Sequence, residues 1–326
     1  MNKKTLLSGV KPTGRPHIGN YFGAMKQFVD MQNDYNCLFM LADYHALNLI
    51  QDRAEMSRAI LDLAIDYLAL GLDPQKSIIF KQSDVSEHTE LCWIFDTFTT
   101  MPYLMRAHAY KDAEAKNKEI VVGTFNYPML MASDILLYDT DVVPVGQDQK
   151  QHVEYARDTA QKFNFIFKSE IFKLPKSKIL ENVAVVPGTD GRKMSKSYGN
   201  TIELFAEYEE IKKAVMSIPT DSKGIDEPRN PEEDNVFKLH KLFATDDQLA
   251  DLRARYEKGG IGHKESKEIL IANIEKFIAP LREKRKQIAG DTDYVLDILR
   301  DGGKRAKQKA EKKMEAVREA IGVKLY

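Results

Sequence analysis

Two short segments concentrate side chains suited to phosphate. Residues 11–20 read KPTGRPHIGN and residues 191–200 read GRKMSKSYGN. In the first, glycine lets the backbone approach a ligand closely. A helix starting after the turn would add unpaired N–H groups and a positive dipole end. His17 and Asn20 can each donate a hydrogen bond to a phosphate oxygen. In the second, Lys193 and Lys196 are separated by Met194 and Ser195, with further hydroxyls on Ser197 and Tyr198. Charge on such a glycine-bounded loop can close over a triphosphate and neutralise a departing pyrophosphate. Each segment also has a plainer reading. The first could be a proline-rich turn with a capping role, the second a solvated surface loop. As a pair they are far more specific than either alone.

The elements that must position these segments alternate. TLLSGV reads as a buried strand that PTGRPHIGN breaks, and YFGAMKQFVDMQ then places Tyr21, Phe22, Met25, Phe28 and Val29 at helical spacing. NCLFMLADYHAL has a strand-like apolar run, AEMSRAILDLAIDYLALG an amphipathic helical pattern, and SIIFKQSD a third strand. Asp141–Gly146 predicts a fourth strand, followed by a helix from about Asp148 to Phe163. This alternation argues for an α/β fold with a parallel sheet, whose ligands bind at the carboxyl ends of the strands. From about Glu203 onward the patterns are helical, so a domain boundary is expected there: residues 1–202 as the α/β part, 203–326 as an all-helical part.

With 326 residues, a net charge of −1 and 43% hydrophobic content, the chain fits about two domains and is no general polyanion binder. No apolar run approaches the roughly 18 residues of a membrane span, and the short run after the first lysines reads as a strand rather than a signal peptide. Cys37 and Cys92 fit buried thiols in a reducing cytoplasm. No residue pattern points to a metal site.

HIGN resembles the HIGH signature, and KMSKS is identical to the second signature, of class I aminoacyl-tRNA synthetases. Asn20 stands where HIGH has its last histidine, as is common in the tryptophan-specific branch. GNYFGA, YPMLMASDILLYDTDVVPVGQDQKQHVE and GRKMSKSYGN together are similar to the bacterial members of that branch. The resemblance implies a Rossmann-like nucleotide-binding domain and a helical domain that contacts the tRNA anticodon region. It also implies ATP with Mg2+, L-tryptophan and tRNA(Trp) as partners, with no permanently bound cofactor. A cytoplasmic homodimer is expected, with no membrane partner. The rivals are a tyrosine-specific relative, a non-catalytic RNA-binding paralogue and a small nucleotidyltransferase.

Site residues follow from the same likeness. His17 and Asn20 would stabilise phosphate, and Lys193, Ser195 and Lys196 would take the pyrophosphate, with Gly19, Met194 and Ser197 in the ATP site. Lys11, Pro12 and Thr13 would line the ATP entrance. Gly146, Gln147 and Asp148 would face adenosine, and Val185 adenine. On a helix, Tyr127, Met131 and Asp134 share one face. Asp134 could accept the indole N–H and Met131 form an adaptable wall, where the related tyrosine enzymes usually carry a glutamine. The same spacing also suits plain core. Val143 and Val145 would wall the indole, Gln149 would meet the substrate ammonium or carboxylate, and His45 would border the pocket. Lysines and arginines from Lys304 to Lys313 could contact tRNA backbone or simply face solvent.

Overall fold

The computed structural model describes residues 3–115, 119–146, 150–179 and 186–326. By packing, these residues form two compact units: Met1–Gly14, Gln27–Glu181 and Asp291–Tyr326 in one, Arg15–Lys26 and Asn182–Gly290 in the other. Packing thus groups the chain otherwise than along a single boundary near residue 203.

The first unit is built on five parallel strands: β1 (Thr5–Val10), β2 (Asn36–Leu41), β3 (Ser77–Lys81), β4 (Val142–Val145) and β5 (Lys176–Ile179). Their order is β3-β2-β1-β4-β5. Leu6, Leu7, Leu38, Phe39 and Ile79 are all buried, as expected of strands covered on both faces. Four strands match the sequence patterns. The fifth, KSKI, was not anticipated: it is a short edge strand whose Lys176 and Lys178 are exposed, so no apolar run marks it. Because β1 and β4 are neighbours in space but not in sequence, the order switches between them, and a crevice is expected at the carboxyl ends there.

Around the sheet lie α1 (Arg53–Leu70), α2 (Glu87–Asp96), α3 (Val122–Leu136) and α4 (Lys150–Ile166). The amino end of α1 is capped by Asp52, whose side chain accepts from the Glu55 N–H at 2.8 Å. Phe95 of α2, Met129 and Ile135 of α3, and Phe163 of α4 share one core with β3 and β4. Each such side chain contributes about 1.5–3 kcal/mol by burial.

The other unit carries α5 (Tyr208–Met216), α6 (Asn235–Phe243), α7 (Asp246–Lys258) and α8 (His263–Ala289). Phe237, Leu252, Tyr256 and Ile261 make its small core. Tyr21 and Phe22 meet Phe243 and Phe277 in an aromatic group with ring centroids 5.2–5.7 Å apart.

The last helix, α9 (Thr292–Ala320), returns to the sheet unit. Its Gly302 and Gly303 would be costly in a helix interior, by about 1 kcal/mol each relative to alanine. They are needed because a Cβ at Gly302 would lie 1.8 Å from the Ile79 carbonyl oxygen, and one at Gly303 3.0 Å from Asp84. The helix therefore lies against β3 at backbone distance. The cationic run on α9 is not uniformly solvated either. Lys313 pairs with Asp139 at 2.6 Å and donates to the Ile171 carbonyl at 2.9 Å. Among the described residues, no helix is long and apolar enough to cross a membrane.

Candidate active site

In the sheet unit, a cavity of about 680 Å3 lies where the strand order switches. Gly9 and Lys11 reach it from β1, Met40 and Ala42 from the end of β2, and Val143 from β4. Lys11 sits at its lip; partial desolvation lowers the ammonium below its usual range while the residue stays exposed. Pro12 and Thr13 continue from it, the Thr13 N–H donating to the Lys11 carbonyl at 2.8 Å.

The helix α3 delivers Tyr127, Met131 and Asp134 to this cavity, so the shared face read from spacing is a lining face. His45 lines it as well. Val145 is buried in the apolar core on the same strand as Val143 and is not among the lining residues, and Gly146 follows it half-buried.

Asp134 is only 2% exposed, and polar groups converge on it. Gln82 Nε2 donates to Oδ1 at 2.7 Å, His45 Nε2 meets Oδ2 at 2.9 Å, and His88 Nδ1 lies 2.7 Å from Oδ1. Burial alone would raise this carboxyl. The His45 hydrogen bond and the His88 contact outweigh it and hold the group at about 2. An ionised carboxylate offers about four acceptor positions; Gln82 and His45 take two by hydrogen bonds, and His88 Nδ1 is a close contact on Oδ1 that makes no hydrogen bond. Capacity is left on Oδ2, which carries only the His45 bond, for a donor entering the cavity. Across from it, the Tyr127 hydroxyl and His152 Nε2 are 2.7 Å apart, and burial, with a smaller effect of Tyr155, pushes the Tyr127 phenol up to about 12. The cavity therefore joins apolar walls such as Met131, Ile135 and Val143 to one buried anion, with Asn48, His108 and His152 also on its lining.

The HIGN part of the first phosphate-type segment and the lysine–serine loop fall together in the second unit. The Ile18 N–H donates to the Ile202 carbonyl at 3.0 Å, and the Leu204 N–H to the Pro16 carbonyl at 2.9 Å. These bonds zip the turn that carries His17 to the strand-like stretch just past the lysine–serine loop. Arg282 of α8 anchors that stretch: it donates to the Ala206 carbonyl at 2.5 Å and pairs with Glu275 at 2.5 Å.

His17 is buried, and its Nδ1 has no hydrogen-bond partner. Burial, and then the nearby charge of Lys196, lower the imidazole to about 4, so at neutral pH it is an uncharged ring. Gly19 permits this placement: a Cβ there would lie 2.8 Å from His17 Nδ1 and 3.3 Å from the Met194 Cβ. The exposed Asn20 accepts the His17 backbone N–H on Oδ1 at 3.0 Å, which leaves its amide N–H groups to donate outward.

Met194 is buried, its N–H donating to the Val186 carbonyl at 2.9 Å, while Lys193 and Lys196 on either side are exposed. One apolar anchor thus presents two cations to solvent. Ser195 and Ser197 meet through their hydroxyls at 2.9 Å. Asn200 clasps the loop. Its Oδ1 accepts the Ser195 N–H at 2.8 Å, and its Nδ2 donates to Asp190 at 2.7 Å and to the Lys193 carbonyl at 3.1 Å.

Gln147, Asp148, Gln149 and Val185 lie outside the described residues. Sequence reasoning missed Gln82, His88, His152 and the clasp role of Asn200. Asn200 stands inside the quoted loop, but its spacing gives no sign of a buried carboxamide. His152 lies inside the quoted 127–154 segment without a role read for it, and Gln82 and His88 come from elements with no motif of their own.

Known proteins match the chain closely. The family described as tRNA synthetases class I (W and Y) matches residues 1–279. A tryptophan–tRNA ligase of Fusobacterium nucleatum is 47% identical over 98% of both chains. One from Rhodopirellula baltica is 46% identical over 98% of this chain and 99% of its own. The crystal structure of tryptophanyl-tRNA synthetase from Campylobacter jejuni complexed with ADP and tryptophan superposes with a TM-score of 0.93, at 46% identity, over 98% of this chain and 99% of that one. The α/β architecture with parallel strands and a helix-rich C-terminal half, the two phosphate-type signatures and these matches agree: the chain belongs to the class I tRNA synthetases of the tryptophan and tyrosine family.

Proposed function

We propose that the chain joins L-tryptophan to tRNA(Trp) in two steps. The tryptophan carboxylate attacks the α-phosphorus of ATP, forming tryptophanyl-adenylate as pyrophosphate leaves. The acyl group then passes to the terminal adenosine of the tRNA, at the 2′-hydroxyl that the class resemblance implies. A carboxylate is already a nucleophile, so the catalytic burden is positioning and charge stabilisation rather than general base catalysis.

The observation that carries this reading is Asp134: an ionised carboxylate, buried at the cavity, with acceptor capacity left on Oδ2. Indole has one N–H to give and nothing to accept. A phenol would also need a donor for its oxygen, and Met131 supplies none. Losing a buried polar partner is expensive, so such a site can discriminate by roughly 10⁴-fold. The names of the relatives support tryptophan over tyrosine.

His17 and Asn20 would donate to phosphate oxygens as neutral groups. Lys193 and Lys196 would neutralise the pyrophosphate, with Ser195 as a further donor. Magnesium would travel with ATP, held by its oxygens and water. Lys11, Pro12, Thr13, Gly19, Met194 and Ser197 belong to the same proposed ATP site. So do Gly146, Gln147, Asp148 and Val185, by resemblance alone. Val143, His45, Tyr127 and Met131 would enclose the side chain of tryptophan; Val145 and Gln149 are retained on resemblance only. The proposed tRNA surface lies on the helices between 203 and 326. Exposed Lys304, Lys307, Lys309 and Lys312 of α9 support a backbone contact there.

A cytoplasmic homodimer is part of the proposal. It draws support from exposed apolar side chains at Trp93 (71%), Met101 (67%) and Met105 (41%). The deciding experiment is ATP–pyrophosphate exchange with each of the twenty amino acids. Exchange driven by tryptophan is expected; exchange driven by tyrosine, or by none, overturns the reading.

A further inference from the structure

We infer that His88, held by Tyr138, is the positioning group that aims Asp134 and thereby sets the preference for a substrate with an indole N–H. The inference rests on the proposed role of Asp134 and names residues behind it.

His88 is fully buried and does not line the cavity, so it cannot touch a substrate directly. Both of its ring nitrogens nevertheless face polar atoms: Nε2 is hydrogen-bonded to the Tyr138 hydroxyl at 2.7 Å, and Nδ1 lies 2.7 Å from Asp134 Oδ1 in a close contact that makes no hydrogen bond. Asp134 lies in the last turn of α3 and Tyr138 just past its end, so a single imidazole from α2 bridges the helix to the turn that follows it. Phe80 of β3 stacks on this ring with centroids 6.3 Å apart and 23° between planes, and meets Tyr138 edge-on at 5.6 Å. The ring can neither slide nor turn without breaking one of these contacts.

Orientation is what Asp134 cannot supply by itself. The terminal torsion of aspartate has a broad profile, so its own rotamer leaves the carboxylate plane loosely defined. An ionised carboxylate only accepts, so a hydrogen on Nδ1 is what makes the 2.7 Å contact attractive, and a small turn of the carboxylate completes the bond. The Tyr138 hydroxyl at Nε2 then holds the ring in place, as outer partners fix the ligands of other sites. With Gln82 donating to the same oxygen, Oδ1 is enclosed from behind. The acceptor capacity left on Oδ2 is thereby directed to one place in the cavity.

The test compares tryptophan with its sulfur isostere, benzothienylalanine, which has the same shape but no N–H. Each is used in pyrophosphate exchange, and kcat/KM is read for the wild type, Tyr138→Phe and His88→Ala. The wild type should prefer tryptophan by about 100-fold or more. That preference should fall about tenfold in His88→Ala and less in Tyr138→Phe, with KM for ATP unchanged. General damage to the fold would depress both substrates alike, so the ratio isolates positioning. If His88→Ala does not fold, Tyr138→Phe decides alone. Folded variants that keep the full wild-type preference overturn this inference. A wild type that shows no preference overturns instead the assignment of Asp134 to the indole N–H.

Discussion

Replacing Asp134 by asparagine changes one atom at the centre of the cavity and should be felt in the tryptophan half of the reaction only. Three groups converge on the carboxylate: Gln82 at 2.7 Å and His45 at 2.9 Å by hydrogen bonds, and His88 at 2.7 Å in close contact. An amide offers one oxygen and one NH2 group, so whichever way it turns, at least one of these donors faces another donor. The substrate N–H loses an ionised acceptor at the same time. A hydrogen bond to a charged partner contributes about 1.5–3 kcal/mol, which converts to roughly 10- to 100-fold in kcat/KM for tryptophan. The assay is tryptophan-dependent ATP–pyrophosphate exchange, with KM for ATP measured alongside and expected to stay within about twofold. Unchanged exchange would remove Asp134 from its role.

The same substitution makes a second, independent forecast. The folded protein holds this carboxyl at about 2, below the ordinary 3.8. A depressed acid adds stability above its unfolded value and loses it as pH falls through 3.8 toward 2, here about 2 kcal/mol. Asp134→Asn should lack that acid-dependent component, so its stability curve against pH should be flatter between pH 4 and pH 2 than that of the wild type.

Lys196→Ala is expected to slow adenylate formation about 100-fold while leaving KM for tryptophan unchanged. The reverse pattern in single-turnover kinetics would place the loop in the amino-acid site. The His17 imidazole should titrate near 4 in the folded protein, followed by its ring proton resonances; an inflection near the ordinary 6.5 would contradict its burial beside Lys196. Because that value is lowered, protonation opposes folding, and this histidine should cost stability as pH falls from 6.5 toward 4. Gly302→Ala should lower the melting temperature, since its Cβ would lie 1.8 Å from the Ile79 carbonyl oxygen. The clash costs about 3 kcal/mol, against a helix-propensity gain of about 1 kcal/mol. A raised melting temperature would show that α9 does not lie so close to β3.

Local pattern made much of this molecule readable. The four apolar strands, the helix face carrying Tyr127, Met131 and Asp134, and the two phosphate-type loops are all features in which residues near in sequence act together. Period and motif record such features because the backbone geometry of a helix, strand or turn is local. The edge strand β5 escaped because an exposed strand buries too little to leave an apolar signature. The course of α9 escaped as well: Gly302 and Gly303 looked like interruptions in a charged helix, and only β3 explains them.

By itself, then, the sequence determined that this chain has a parallel α/β sheet, two loops of phosphate-binding type and the helical face that lines the cavity. Tertiary structure alone decided what surrounds those groups. Gln82 and His88 converge on Asp134 from segments some fifty residues away, and Asn200 closes the lysine loop through a side chain that spacing left unassigned. The reason is physical: a buried charge is stabilised by whichever donors the fold brings within about 3 Å, and donors recruited across the chain carry no periodicity to read.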